Sequence, residues 1–242
     1  MTAPLPQSSV LGLPVHLSTD YVPWLVQQIA LGTQIHVVTL NAEMAMLALQ
    51  EKELYEVIHQ AGLVIPDGAG VVWALGLKGE RVGRCPGIEL VENLLPRLDP
   101  GTKIYLLGAG PGVAEQVARQ WQARFPNLAL VEARDGYFTA ADEPQILSQL
   151  QCLQPGLVLV GLGVPKQEYL IHRWQEHLPH TVWVGVGGSF DVWSGTKERA
   201  PEWFRRNSLE WLYRLYQEPY RWRRMLALPR FALQVLRQGI IS

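Results

Sequence analysis

The sequence predicts an α/β fold, a mostly parallel sheet with helices on both faces, followed by a C-terminal basic helical appendage. Two observations carry the sheet. Short apolar runs recur at 35–40, 63–65, 103–107, 128–131, 156–161 and 181–186, the pattern of strands buried on both faces. Most of them close on polar or glycine residues and give way to a helix-forming stretch, the alternation that builds parallel sheets. The third observation is charge. From Trp203 onward there are eight arginines, no lysine and only Glu210 and Glu218, a balance of 8 - 2 = +6, which leaves residues 1–202 with 13 basic and 20 acidic side chains, or -7. The division therefore falls into an α/β body, 1–202, and an appendage, 203–242. An acidic body with a basic, aromatic tail implies that the tail meets something anionic.

In order along the chain, VLGLPVHL reads as one short strand, and Ser18, Thr19 and Asp20 are cap candidates for a helix from Tyr21 to Ala30 that Gly32 ends. IHVVTL is a buried strand, after which Asn41 opens a single long helix through 42–60, placing Thr39 and Asn41 at a strand exit. LVIPDGAG follows. Here Leu63 to Ile65 fit a strand, Pro66 stops the ladder, and Gly68 and Gly70 permit a tight exit into the next helix. Asp67 thus stands at the mouth of a strand, where open α/β sheets collect ligands, although an Asp before Gly also starts turns or caps helices. LKGERVGRCPGIEL is a glycine- and arginine-rich connection, with Arg81 and Arg84 as solvated charges or phosphate contacts, before a helix from Ile88 to about Leu98.

KIYLLGAGPGVAEQVARQW is the next strand, loop and helix, and its Gly108, Gly110 and Gly112 form the densest glycine loop in the chain. A helix start behind glycines is an anion site by default, so these three are candidate nucleotide contacts; the same glycines also suit close packing of helix on strand. GxGxG is one residue short of the dinucleotide fingerprint. Glu132, after LALV, resembles a ribose-binding acid, which makes a nicotinamide-dependent oxidoreductase the rival reading. Further on come a turn at RDGYF, a helix over roughly 142–153, a strand in GLVLVG with Lys166, Gln167 and Glu168 crowding its exit, and a strand in TVWVGVGG ending at Gly187 and Gly188. GGSFD misses the GxSxG nucleophile elbow at its last position, which argues against serine hydrolysis.

Composition sets the outer bounds. With 242 residues, 48% hydrophobic and 18% charged, the chain has ample material for a core. MTAPLPQSSV lacks a basic start and an apolar block, and no run of 18 apolar residues occurs, so a cytoplasmic location is expected. Cys85 and Cys152 make no metal spacing, and the six histidines form no HExxH-like cluster; reduced thiols, no protein-held metal and no cofactor are expected. No nucleic acid partner is expected, and a homo-oligomer is allowed for.

From Thr39 onward the chain resembles the WecG/TagA/CpsF family of bacterial glycosyltransferases, glycosyltransferase family 26. The likeness lies in TLNAEM, PDGAGVVWA, RCPGIEL, LLGAGPGVAE, DGYF, GLGVPKQE, VGVGGSFDVWSG and KERAPEWFRRNSLEWLYRLYQEPYRWRR, and it is most specific between Gly161 and Arg224. The resemblance implies a Rossmann-like fold with a membrane-associating appendage. It implies transfer of a hexose from a UDP-sugar to GlcNAc on a polyprenyl diphosphate, with inversion, without a metal, at the inner face of the cell membrane. By position Asp67 matches the family's proposed catalytic base, Thr39 and Asn41 its polar pocket residues, Arg84 its pocket arginine, and Gln167 the glutamine of its PKQE-like loop. Arg214, Arg221 and Arg224 match basic residues of the appendage that are thought to complete the site, and Gly187 is placed with the nucleotide contacts. Cys85 stands where the family more often has an aliphatic residue.

The residue types suit that chemistry independently. A sugar hydroxyl needs a carboxylate to take its proton, which contributes on the order of 10² to 10⁴ in rate. A departing diphosphate without a metal needs fixed cations, and a guanidinium binds two oxygens at once. Against this stand the oxidoreductase reading and a non-catalytic, membrane-associated binding protein, which would use the tail but not a converging Asp67, Arg84 and Gln167.

Overall fold

The apolar runs become strands. In chain order these are β1 (Gln7–Val10), β2 (Leu13–His16), β3 (Ile35–Leu40), β4 (Leu63–Pro66), β5 (Lys103–Gly108), β6 (Ala129–Arg134), β7 (Leu157–Gly161) and β8 (Val182–Gly185). The computed structural model describes residues 4–241, with the side chains at 130, 131, 214, 221 and 239–241 outside that description. Strands β3 to β8 form one sheet in the order β4-β3-β8-β7-β5-β6, every pair parallel. All six carboxyl ends therefore share one edge, and each strand exit named above opens there.

Helices α1 (Val22–Ala30), α2 (Ala42–Ala48), α3 (Lys52–Gln60), α4 (Ala69–Leu77) and α5 (Gly87–Leu94) occupy the first half. Helices α6 (Val113–Arg124), α7 (Glu143–Leu153), α8 (Lys166–Trp174) and α9 (Ser189–Trp193) complete the body. Alternation along the strands sorts the two faces. Val37, Ile65, Leu106, Leu159 and Val184 pack with α1, α5 and α6, while Val38, Val64, Tyr105, Val158 and Trp183 face α2, α3, α4, α7 and α8. The expected parallel sheet with helices on both faces is what forms.

Three local expectations are corrected. VLGLPVHL is not one strand: β1 and β2 are an antiparallel hairpin that turns at Leu11 and Gly12, both at positive φ. The long helix after Asn41 is two, because the chain leaves helical geometry at Glu51, whose carboxylate accepts from Tyr169 Oη at 2.8 Å on a distant helix. Pro66 does continue the ladder, paired with Leu40; β4 is an edge strand, where a missing N–H is tolerated.

The appendage consists of α10 (Glu202–Arg206), α11 (Glu210–Gln217), α12 (Trp222–Met225) and α13 (Ala227–Ile241). Helix α13 lies across α2 and α4, and Phe231, one of the aromatics of the basic tail, is only 1% exposed in the core they share. The remaining aromatics divide. Trp203, Tyr216, Tyr220 and Trp222 stand out from the surface, whereas the Tyr213 ring packs 5.4 Å from that of Phe204. Among the described residues no helix is long and apolar enough to cross a membrane.

Candidate active site

A cavity of about 290 Å³ opens at the carboxyl ends of β4, β3, β8 and β7. Asp67, Thr39, Asn41, Arg84, Gln167, Gly187 and Arg224 all line it. So do Glu43, Glu210 and Trp211, which sequence reasoning did not select. The side chains of Arg214 and Arg221 lie outside the described residues.

Each wall follows from local structure. At the end of β4 the Asp67 N–H donates to Leu40 O at 2.9 Å, so the last rung of the β3–β4 ladder fixes the backbone carrying the carboxylate. Asn41 is the N-cap of α2, its Oδ1 accepting from Met44 N at 3.0 Å; such a cap contributes about 1 kcal/mol. The Thr39 hydroxyl donates to Gly185 O at 3.3 Å. Gln167 is 1% exposed, and its amide oxygen accepts from Gly163 N at 3.2 Å and Gly187 N at 3.0 Å. It lines the cavity chiefly by tying two strand exits together.

Among the described residues, Arg84 and Arg224 face the cavity, each already holding a carboxylate. Cys85 N donates to Pro66 O at 2.8 Å, which ties the loop carrying Arg84 to the end of β4. Arg84 Nη1 lies 3.1 Å from Glu210 Oε2, 126 residues away, in an ion pair that is mostly buried. From the other side Arg224 Nε reaches Glu43 Oε1 at 2.5 Å. Both pairs join body to appendage, as does Lys197, which bridges Asp191 and Glu218 at 2.8 and 2.9 Å. The signal for Glu43 and Glu210 is weak in sequence, since each reads as a solvated charge near the start of a helix.

Burial, and after it the nearby Asp67, Glu89 and Asp20 charges, together push the Cys85 thiol up to about 12. The thiol therefore stays protonated and packs against the core as a small apolar group. Among the described residues no group of three or more His, Cys, Asp and Glu is placed to hold a metal ion.

The GAGPG loop is elsewhere. It leaves β5, with β7 between it and the cavity-lining exit of β8, and Gly108, Gly110 and Gly112 are not among the lining residues. Gly108 is explained by packing: a Cβ there would lie 2.5 Å from Gly161 O on β7. Glu132 sits inside β6, on the far edge strand, instead of at a strand exit. Neither residue set of the oxidoreductase reading reaches the cavity.

Three relatives carry the same descriptive name, N-acetylglucosaminyldiphosphoundecaprenol N-acetyl-beta-D-mannosaminyltransferase. The Bacillus subtilis (strain 168) protein is 37% identical over 202 residues, covering 83% of this chain and 78% of the relative. The Bacillus spizizenii protein (strain ATCC 23059 / NRRL B-14472 / W23) is 37% identical over 203 residues, with the same coverage of each chain. The Staphylococcus aureus (strain MW2) protein is 35% identical over 203 residues, covering 83% of this chain and 79% of the relative. The family described as "Glycosyl transferase WecG/TagA/CpsF family" matches residues 8–242. With Asp67, the strand-exit polar residues and the arginines gathered at one cavity, and with this match over nearly the whole length, the chain belongs to the WecG/TagA/CpsF family of glycosyltransferases.

Proposed function

We propose that the protein transfers N-acetylmannosamine from a UDP-linked donor to GlcNAc carried on a polyprenyl diphosphate, with inversion at the anomeric carbon. The observation that carries this reading is the convergence of Asp67, Asn41, Arg84 and Arg224 on one cavity at the sheet's carboxyl edge. Asp67 takes the proton of the acceptor hydroxyl as that oxygen bonds to the anomeric carbon. The bond from that carbon to the diphosphate breaks, and UDP leaves with the electron pair. Arg84 and Arg224, which hold the carboxylates of Glu210 and Glu43, are the cations suited to the charge that develops on the diphosphate. The names of the relatives support the acceptor and the sugar; the UDP carrier follows from the family resemblance.

The acceptor's lipid is held in a bilayer, so the enzyme comes to the inner surface of the membrane as a peripheral protein. Trp203, Tyr216, Tyr220, Trp222 and Leu226 are exposed in a tail with net charge 8 - 2 = +6. Aromatic rings settle at the headgroup level, and each basic residue near an anionic surface adds on the order of 1 kcal/mol. Because Phe231 is built into the core of the body, removing the whole tail would unfold more than an anchor. The double variant Tyr220→Ser/Trp222→Ser tests docking instead, and it should float poorly with anionic liposomes while keeping its circular dichroism. Full flotation by that variant would remove these aromatics from the docking surface.

The decisive assay offers a panel of UDP-sugars, in excess EDTA, to a short-chain lipid diphosphate bearing GlcNAc, read by mass spectrometry. A product heavier by one N-acetylhexosamine from the N-acetylmannosamine donor is expected. Transfer from a different donor alone would overturn the sugar, and dependence on added Mg²⁺ or Mn²⁺ would overturn the assignment of the leaving group to arginines.

A further inference from the structure

Beneath the cavity runs a chain of buried polar groups that the transfer step itself does not use. His36, inside β3, is 1% exposed, and Glu168, in the first turn of α8, is fully buried. His36 Nε2 and Glu168 Oε2 are 2.7 Å apart across 132 residues of sequence. The other carboxylate oxygen, Oε1, accepts from Gln167 Nε2 at 2.9 Å. Gln167 Oε1 in turn accepts from Gly163 N and Gly187 N. One continuous network therefore joins the middle of β3 to the loops that leave β7 and β8.

An ionised carboxylate only accepts hydrogen bonds. Glu168 Oε1 takes the NH₂ end of the Gln167 amide, which points inward, and Oε2 faces His36 Nε2. With that end committed, the amide oxygen has one place to go, toward the two glycine N–H groups. The Gln167 amide is thus held at both ends, its nitrogen by Glu168 Oε1 and its oxygen by the two glycine N–H groups. The backbone is cleared for the network at Gly185, where a Cβ would lie 2.4 Å from Gln167 Nε2 and 2.9 Å from Glu168 Oε1. The carbonyl of the same glycine accepts from Thr39, so the network also borders the β3 wall of the cavity.

We infer that Glu168 and His36 are positioning residues for the sugar-transfer site, acting through the Gln167 amide to hold the loops after β7 and β8 at the spacing the cavity needs. A pair of this kind placed only to join α8 to β3 would support stability everywhere and favour no particular loop. The kinetic part of the inference rests on the transferase reading above; the exchange part does not.

The test uses the full chain with ¹⁵N labelling. Glu168→Gln keeps the side chain's shape and can turn its own NH₂ toward Gln167, withdrawing the acceptor that holds the Gln167 nitrogen. Amide exchange at Gly163 and Gly187 should quicken by about tenfold or more relative to Leu106 in β5, and kcat should fall by roughly tenfold to a hundredfold, more than KM changes. His36→Gln retains a donor and should stay within about threefold of wild type in both readouts, while His36→Leu should behave as Glu168→Gln does. Uniform quickening at Gly163, Gly187 and Leu106 together would overturn the inference in favour of a stabilising pair, as would unchanged exchange at both glycines in Glu168→Gln or, should that variant not fold, in His36→Leu. If the wild-type protein transfers no sugar from any donor, the exchange readout alone decides, and a failure of the transferase reading is thereby told apart from a failure of this one.

Discussion

The loop after β4, at 67–70, and the loop after β5, at 108–112, leave the same edge of the same sheet, both rich in glycine and both leading into a helix. The first lines the cavity; the second does not. In the first, a Cβ on Gly68 would come within 3.0 Å of Asn41 Cβ, so the glycine lets the exit of β4 close against that of β3 and brings Asp67 beside Asn41. In the second, Gly108 makes room for the backbone of Gly161, while added Cβ atoms on Gly110 and Gly112 would meet little or nothing. Glycine density reports that a backbone has a close neighbour or an unusual turn. Whether that neighbour is a ligand or another strand depends on what lies above the loop, and only the β4 loop lies under the appendage.

The comparison breaks most readily at Asp67. Asp67→Asn keeps shape and deletes basicity, so transfer should fall by about 10²-fold or more, with UDP affinity by calorimetry close to wild type. Transfer within a few-fold of wild type would remove Asp67 as the base. A smaller effect is expected on the opposite wall, where Arg224→Ala removes a cation from the cavity but little buried structure, its side chain being about half exposed. The donor KM should rise by about tenfold, as for loss of one charge-assisted contact, with the melting temperature nearly unchanged. An unaltered KM would move the diphosphate away from Glu43 and α12.

The β5 loop should respond in stability alone. Gly112 has φ +80° as the residue preceding α6, and an L side chain there costs about 1–2 kcal/mol. Gly112→Ala should accordingly lower the melting temperature by about 2–8 °C for a chain of this size and leave steady-state kinetics as they are. The smallest effect belongs to Gly110→Ala, whose Cβ would touch only Val113 Cγ2 at 3.8 Å. Its melting temperature should stay within about 1 °C of wild type, and the donor KM should not move. A raised KM in either glycine variant would return the nucleotide to this loop and erase the contrast.

Much of this was legible beforehand because strands buried on both faces leave continuous apolar runs, and parallel strands put their exits on one edge. That edge alone brings Thr39, Asn41, Asp67, Gln167 and Gly187 into the same region. Lost from view was whatever depends on a partner far away in sequence. Glu51 at the helix break meets Tyr169, the Gln167 amide meets Glu168 with His36 beyond it, and Arg84 meets Glu210. Phe231 looked like its aromatic neighbours in the tail, since a ring buried against α2 and α4 and a ring at a membrane surface have the same local sequence.

By itself, then, the sequence determined the sheet, the edge at which the cavity opens and the acid that lines it, because those follow from periodicity and from residues near one another along the chain. The tertiary structure alone decided which glycine loop faces the cavity, which carboxylates hold its arginines and how far the tail belongs to the body. Those outcomes depend on contacts across more than a hundred residues, such as Arg84 with Glu210 and His36 with Glu168. A charge or a ring carries no mark of its distant partner until the chain has folded to bring the two together.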